Sequence, residues 1–169
     1  MRWRSKSKAR DIAFMGLLTA LAVIMSYVEY RIPISLGVPG LKLGLCNIVI
    51  VFALYCYGFV PALLVSLARV GVMALLFGNP LSALYSLAGA ALSLAGMALL
   101  KRSGAFSPCG VSAFGGTLHN IGQLCVAALV LGDAAPLRLA PVLMIAGIVT
   151  GFLIGLLVNA VLKGLGARD

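Results

Sequence analysis

Apolar residues in this chain run on for about 20 positions at a time, the length a bilayer-spanning helix needs, then break at a cluster of glycine, proline or charge and begin again. A run of that length buried in a water-soluble core would be exceptional, so lipid is the solvent this pattern calls for. The 169 residues are 62% hydrophobic and 10% charged, with a mean hydropathy of +1.13. That length accommodates about six spans joined by short loops and leaves no room for a separate soluble domain. Membrane β-strands would alternate polar and apolar residues over ~10-residue stretches, and no such alternation is present. The expected fold is therefore all-α, an integral membrane bundle of six transmembrane helices forming a single domain over 1–169.

The spans are predicted near 10–28, 41–57, 59–77, 81–100, 110–131 and 137–162. Each break has a local cause: Pro33, Pro39 and Gly40; Gly58 with Pro61; Gly78, Asn79 and Pro80; Ser103, Gly104, Ser107 and Pro108; and Gly132, Asp133 and Pro136. The break at Gly58 is the weakest. Closing it would leave five helices and place Lys101, Arg102, Lys163 and Arg168 outside, whereas six helices place all four in the cytoplasm and satisfy the positive-inside rule.

Thirteen basic residues face four acidic ones, for a net charge of +9. In a soluble protein that excess would suggest nucleic acid, but Arg2, Arg4, Lys6, Lys8 and Arg10 crowd just ahead of the first span. This placement is the topological signature of a cytoplasmic N-terminus, and no nucleic-acid partner is expected. An even number of spans puts the C-terminus on the same side of the cell (inner) membrane. The run from Ile12 to Val28 is too long for a cleaved leader and lacks a small-residue cleavage site, so it reads as a retained first helix. Cys46, Cys56, Cys109 and Cys125 are scattered, with no C-x-x-C and one histidine in the chain. They read as small core residues rather than metal ligands or a disulfide framework.

Polar groups inside the spans are the candidates for function. Arg69 falls about ten residues into the third span, where an ionisable group costs ~2.5 to 3.5 kcal/mol on insertion scales. It reads either as an anion-binding or gating arginine or as a structural residue bonded to carbonyls. In the fifth span, Gly115-Gly116-Thr117-Leu118-His119-Asn120-Ile121-Gly122-Gln123 places His119 and Gln123 on one helical face, with Asn120 beside them. This segment could line a pocket, or it could hold helices together by hydrogen bonds. The first loop, from Glu29, Tyr30 and Arg31 through Lys42, with Asn47 one turn into the second span, reads as a lid or as an interfacial anchor. Asn79 and Tyr85 approach the same outer end.

Small residues at Ala9, Ala13, Gly16 and Ala20 on the first span, and at Gly147, Gly151 and Gly155 on the sixth, form two close-approach surfaces. The first lies near the cytoplasm and could dock a partner helix. Asp11, Glu29, Asp133 and Asp169 are too few and too scattered to supply paired aspartates for magnesium and prenyl diphosphate chemistry. No phosphate-cradling glycine loop for ATP is present either. No enzyme activity and no cofactor is expected, and a flavin or quinone site has no dedicated motif.

Three segments carry a resemblance to a known family: Ala13-Phe14-Met15-Gly16-Leu17-Leu18-Thr19-Ala20-Leu21-Ala22, Val38-Pro39-Gly40-Leu41-Lys42-Leu43-Gly44-Leu45-Cys46-Asn47, and the glycine-rich segment ending at Gln123. Together they resemble the Gx transporter family, also labelled heptaprenyl diphosphate synthase component I. More distantly the layout is similar to the S components of energy-coupling factor transporters, six-helix proteins that capture vitamins and dock on a membrane coupling subunit with ATPases. The resemblance implies a substrate-binding subunit that takes a small, anionic or vitamin-like solute from outside. Arg69, Lys42 and Arg31 would balance its charge, Asn47, Asn79, His119, Asn120 and Gln123 would hydrogen-bond it, and Tyr85 would lie at its outer end. The face Ala9, Ala13, Gly16, Ala20 would meet the coupling subunit. The alternative is a non-catalytic membrane subunit associated with a prenyl diphosphate synthase or a redox complex.

Overall fold

The computed structural model describes residues 8–31, 44–77 and 80–166. Among them there is no strand, and the chain forms six α-helices: α1 (Lys8–Arg31), α2 (Leu45–Cys56), α3 (Phe59–Phe77), α4 (Pro80–Ser103), α5 (Pro108–Leu131) and α6 (Ala140–Gly164). A short 3-10 turn, Ala135–Leu139, leads into α6. Five of these helical segments are long and apolar enough to cross a membrane, α6 being counted with its leading turn. The protein is a multi-pass membrane protein.

α2 departs from the expected pattern. Its 12 residues rise about 18 Å at ~1.5 Å per residue, well short of a ~30 Å hydrocarbon core. The predicted span began at position 41, but residues 41–43 lie outside the described residues, and the helix starts only after Gly44. Gly44 holds φ 72°, a left-handed conformation that a glycine adopts without a steric penalty. The weak break between α2 and α3 is real for the same reason, since Gly58 sits at φ 94° and turns the chain between them. Elsewhere the ends follow their local signals. Ser107 caps α5, its Oγ accepting the Gly110 N–H at 3.4 Å, and left-handed Gly132 ends that helix.

The helices close on one another in the order α2, α3, α4, α5, α6 and back to α2, with α1 laid against α2 and α3. α5 is the centre of this packing. Its glycines serve two neighbours at once, Gly115 and Gly122 turning to α4 and Gly116 to α6. A methyl group added at Gly122 would lie 2.8 Å from the Ala88 carbonyl oxygen of α4, and one at Gly147 would lie 2.7 Å from the Gly116 carbonyl oxygen. The doubled G-x-x-x-G of α6 is thus consumed within the chain. Gly147, Gly151 and Gly155 lie in turn against the backbone of Gly116, Ser112 and Cys109.

α1 behaves differently, with Leu18, Ala22 and Ser26 its buried residues. Ala9, Ala13, Gly16 and Ala20 all face outward, and open space surrounds the Gly16 Cα. Three cysteines are buried as expected, while Cys125 is exposed on the outer side of α5, where a small apolar thiol is at ease against lipid. Two alanine substitutions separate these surfaces. Gly151→Ala should lower the unfolding midpoint in detergent by an amount equivalent to ~1 to 3 kcal/mol, because the new methyl meets backbone that cannot move aside. Gly16→Ala should leave it unchanged or raise it slightly, and equal effects at the two sites would contradict this packing.

Candidate functional site

Arg69 stands on the inner face of α3 and is 8% exposed. Its Nη1 donates to the Ser26 hydroxyl of α1 at 3.3 Å, and that hydroxyl in turn donates to the Ala22 carbonyl at 2.9 Å. Nε has no hydrogen-bond acceptor, and among the described residues no carboxylate pairs with the guanidinium. A guanidinium carries five donors in a fixed fork, and Arg69 also lines the space beside it.

That space consists of two chambers that share Glu29, Arg69 and Ser86 as lining. The inner one lies within the ring of helices and receives residues from all six, among them Asn47, Ser93, Ser112, His119, Gln123 and Thr150. Its volume of about 40 Å³ holds a few water molecules, each needing ~10 to 15 Å³ by this measure. The second, of about 150 Å³, lies between the C-terminal turns of α1 and α3 and the first turns of α4. Phe77 closes its far end, in ring contact with Tyr30 at 4.2 Å and Tyr27 at 5.9 Å.

Five residues predicted from the sequence line the inner chamber together: Arg69, His119, Asn120, Gln123 and Asn47. They are not equivalent. Asn120 donates through Nδ2 to the Leu143 carbonyl of α6 at 2.6 Å, so its amide group works as interhelical glue. His119 lies flat against the backbone of α4, where a methyl group on Gly89 would come within 2.9 Å of its Nδ1 and Cε1. Gln123 lines the chamber without an internal hydrogen bond among the described residues. Arg31, exposed at the end of α1, and Tyr85 line neither chamber. Lys42 and Asn79 lie outside the described residues.

The structure adds groups that the sequence did not single out. Glu29, half-buried in the last turn of α1, accepts the Gly44 N–H at 2.5 Å and so sits at the positive end of α2. α4 contributes Ser82, Ser86 and Ser93, interleaved with Gly89 and Gly96 at alternating steps of four and three. That spacing puts small and polar residues in one stripe along α4. At the opposite end of the bundle Lys101 donates to the carbonyls of Leu54 and Tyr55 at 2.6 and 3.3 Å, and its ammonium lies 4.6 Å from the Tyr55 ring centroid. It thereby caps the C-terminus of the short helix.

A family profile described as heptaprenyl diphosphate synthase component I matches residues 18–161, from Leu18 in α1 to Val161 in the last turn of α6. The chain belongs to that family. No curated protein and no solved structure matches it. The matched stretch takes in Arg69, the α5 glycine segment and every other residue named for the two chambers.

The two fixed tethers have measurable weight. Asn120→Ala should cost ~0.6 to 1.7 kcal/mol, the range found for hydrogen bonds between membrane helices, read as a lower unfolding midpoint. Lys101→Met should act similarly by releasing the α2 carbonyls. Unchanged stability in both variants would mean that neither bond holds the bundle.

Proposed function

We propose that the protein is the membrane subunit of an uptake system that captures a small anionic solute from outside the cell. Arg69 carries this reading. A buried guanidinium that lines two neighbouring chambers and pairs with no carboxylate among the described residues is arranged to receive an acceptor-rich, negatively charged group. Asn47, His119 and Gln123 would complete the inner lining with neutral hydrogen-bonding groups. Glu29 also lines both chambers, and its carboxylate accepts the Gly44 N–H at the start of α2.

Six spans are taken to cross the cell (inner) membrane, both termini being cytoplasmic, and the chambers then open at the outer end. The exposed face of Ala9, Ala13, Gly16 and Ala20 would be where a membrane coupling subunit with ATPases docks, since the chain itself has no nucleotide motif. We infer no catalytic activity for this chain on its own. The word "component" in the family description favours a second reading, in which the same α1 face anchors a soluble prenyl diphosphate synthase. Mild-detergent pull-down distinguishes them. Recovery of a coupling subunit with ATPases supports uptake, and recovery of a synthase without a retained solute supports anchoring.

Mass spectrometry of small molecules retained by the purified protein should reveal an anion. Arg69→Ala should weaken its binding by ~10- to 100-fold, corresponding to the ~1.5 to 3 kcal/mol of a charge-assisted hydrogen bond. Retention unaffected by that substitution, in a chain that still folds, would overturn the assignment. For topology, a fluorescent protein fused to the C-terminus should fluoresce and alkaline phosphatase fused there should be inactive. The opposite result would invert the orientation and with it the direction of capture.

A further inference from the structure

The short helix α2 is held at its two ends by side chains of opposite charge from two different helices. A helix leaves its first four N–H and last four C=O groups without partners of its own, a large share of the backbone when the helix has only 12 residues. At its start Gly44 has no side chain with which to cap it. Glu29 of α1 supplies the acceptor instead, its Oε1 receiving the Gly44 N–H at 2.5 Å, which places a carboxylate at the positive end of the helix. At the other end the Lys101 ammonium of α4 donates to the Leu54 and Tyr55 carbonyls and lies against the Tyr55 ring.

The two ends are not embedded alike. From Val49 to Cys56 every residue except Phe52 and Tyr55 is buried, whereas in the first turn Cys46 is buried and Leu45, Asn47 and Ile48 are half-buried. That first turn nevertheless forms part of the inner chamber, which Gly44, Cys46 and Asn47 line together with Thr150 and Ile154 of α6. We infer that Glu29 is a latch. Its bond to Gly44 keeps the first turn of α2, and Asn47 with it, in the wall of the inner chamber, and breaking that bond opens the wall while the Lys101 end stays docked. Glu29 is thus a positioning residue that acts on the chamber through α2, whichever solute or partner the chain serves.

Two of the chain's own thiols test this. Cys46 lies in the latched turn, and Cys109 is buried at the far side of the bundle, where Gly155 packs on the backbone of α5. Two chains, each keeping one of these thiols and carrying alanine at the other three cysteine positions, are placed in lipid nanodiscs and exposed to iodoacetamide, an uncharged reagent. The labelling rate is read by mass spectrometry. Glu29→Ala should raise the Cys46 rate ~10- to 100-fold, the weight of a hydrogen bond to a charged group, and leave the Cys109 rate unchanged. Gly44→Ala should raise the Cys46 rate as well, because it strains the same joint from the donor side, at φ 72°, without altering any charge. It carries the test where the Glu29→Ala chain does not fold. Lys101→Met should raise the Cys46 rate less than Glu29→Ala does. An unchanged Cys46 rate in Glu29→Ala would overturn the latch, and so would equal acceleration at Cys46 and Cys109, which would make Glu29 a support of the whole bundle. A rise in Glu29→Ala that Gly44→Ala fails to reproduce would trace the effect to thiol ionisation and overturn it too. A Lys101→Met effect at Cys46 as large as that of Glu29→Ala would overturn the division between the two ends.

Discussion

Placing a guanidinium among apolar helices creates a demand for hydrogen-bond acceptors that lipid cannot meet. Arg69 is 8% exposed, and the Ser26 hydroxyl satisfies one of its donors while Nε goes without. The cost of placing such a group at this depth, ~2.5 to 3.5 kcal/mol on insertion scales, is comparable to a sizeable part of a domain's net stability of ~5 to 15 kcal/mol. Other features of the bundle can be read as consequences. The neighbouring helix α1 presents the Ser26 hydroxyl to Arg69 rather than a leucine, and space is left beside it for water. α3 therefore joins a bundle that is dense at α5 and loosened beside α1.

The glycines of α5 explain how density and space coexist. Two helix backbones in van der Waals contact across Gly116 and Gly147, and again across Gly122 and Ala88, bind α4, α5 and α6 into a tightly packed sector. Association of this kind in a membrane depends on close packing and interhelical hydrogen bonds, because lipid gives little hydrophobic drive. The Asn120 bond to Leu143 adds such a link at the same interface. The opposite sector, formed by α1, α2 and α3, includes a helix of only 12 residues whose C-terminus is capped by Lys101. The chambers lie between these sectors, where a close-packed half meets one built from a short helix and a peripheral one.

Helix positions were largely legible because a backbone in hydrocarbon must satisfy its own hydrogen bonds, which leaves long apolar runs in the sequence. The boundaries of α3, α5 and most of α4 follow directly from Gly58, Pro80, Pro108 and Gly132. The start of α2 was not legible. A run of apolar residues from position 41 says nothing about where the chain turns, and Gly44 determines it through a single left-handed torsion. The sixth span, expected near 137–162, lies within the apolar segment Ala135–Gly164, whose first five residues form a 3-10 turn ahead of α6.

Site residues divide along similar lines. Arg69 and His119 stand out because ionisable groups in spans are rare. Serines do not, since a hydroxyl inside a helix can bond its own preceding carbonyl, as Thr117 does to Ala113 and Thr150 to Ala146. Ser86 and Ser93 therefore pass as neutral small residues until the fold turns them toward the chamber. Glu29 was hidden differently: a carboxylate at the end of α1 reads as ordinary loop charge, and its role depends on the unforeseen turn that brings the Gly44 N–H to it. Lys101, counted only as a topological charge, reaches the carbonyls of α2 because that helix ends level with the last turn of α4. Residues that act alone within a span announce themselves by composition. Those whose role requires a second element remain ambiguous until that element has a position, and in this protein the short helix α2 is the element on which most of them wait.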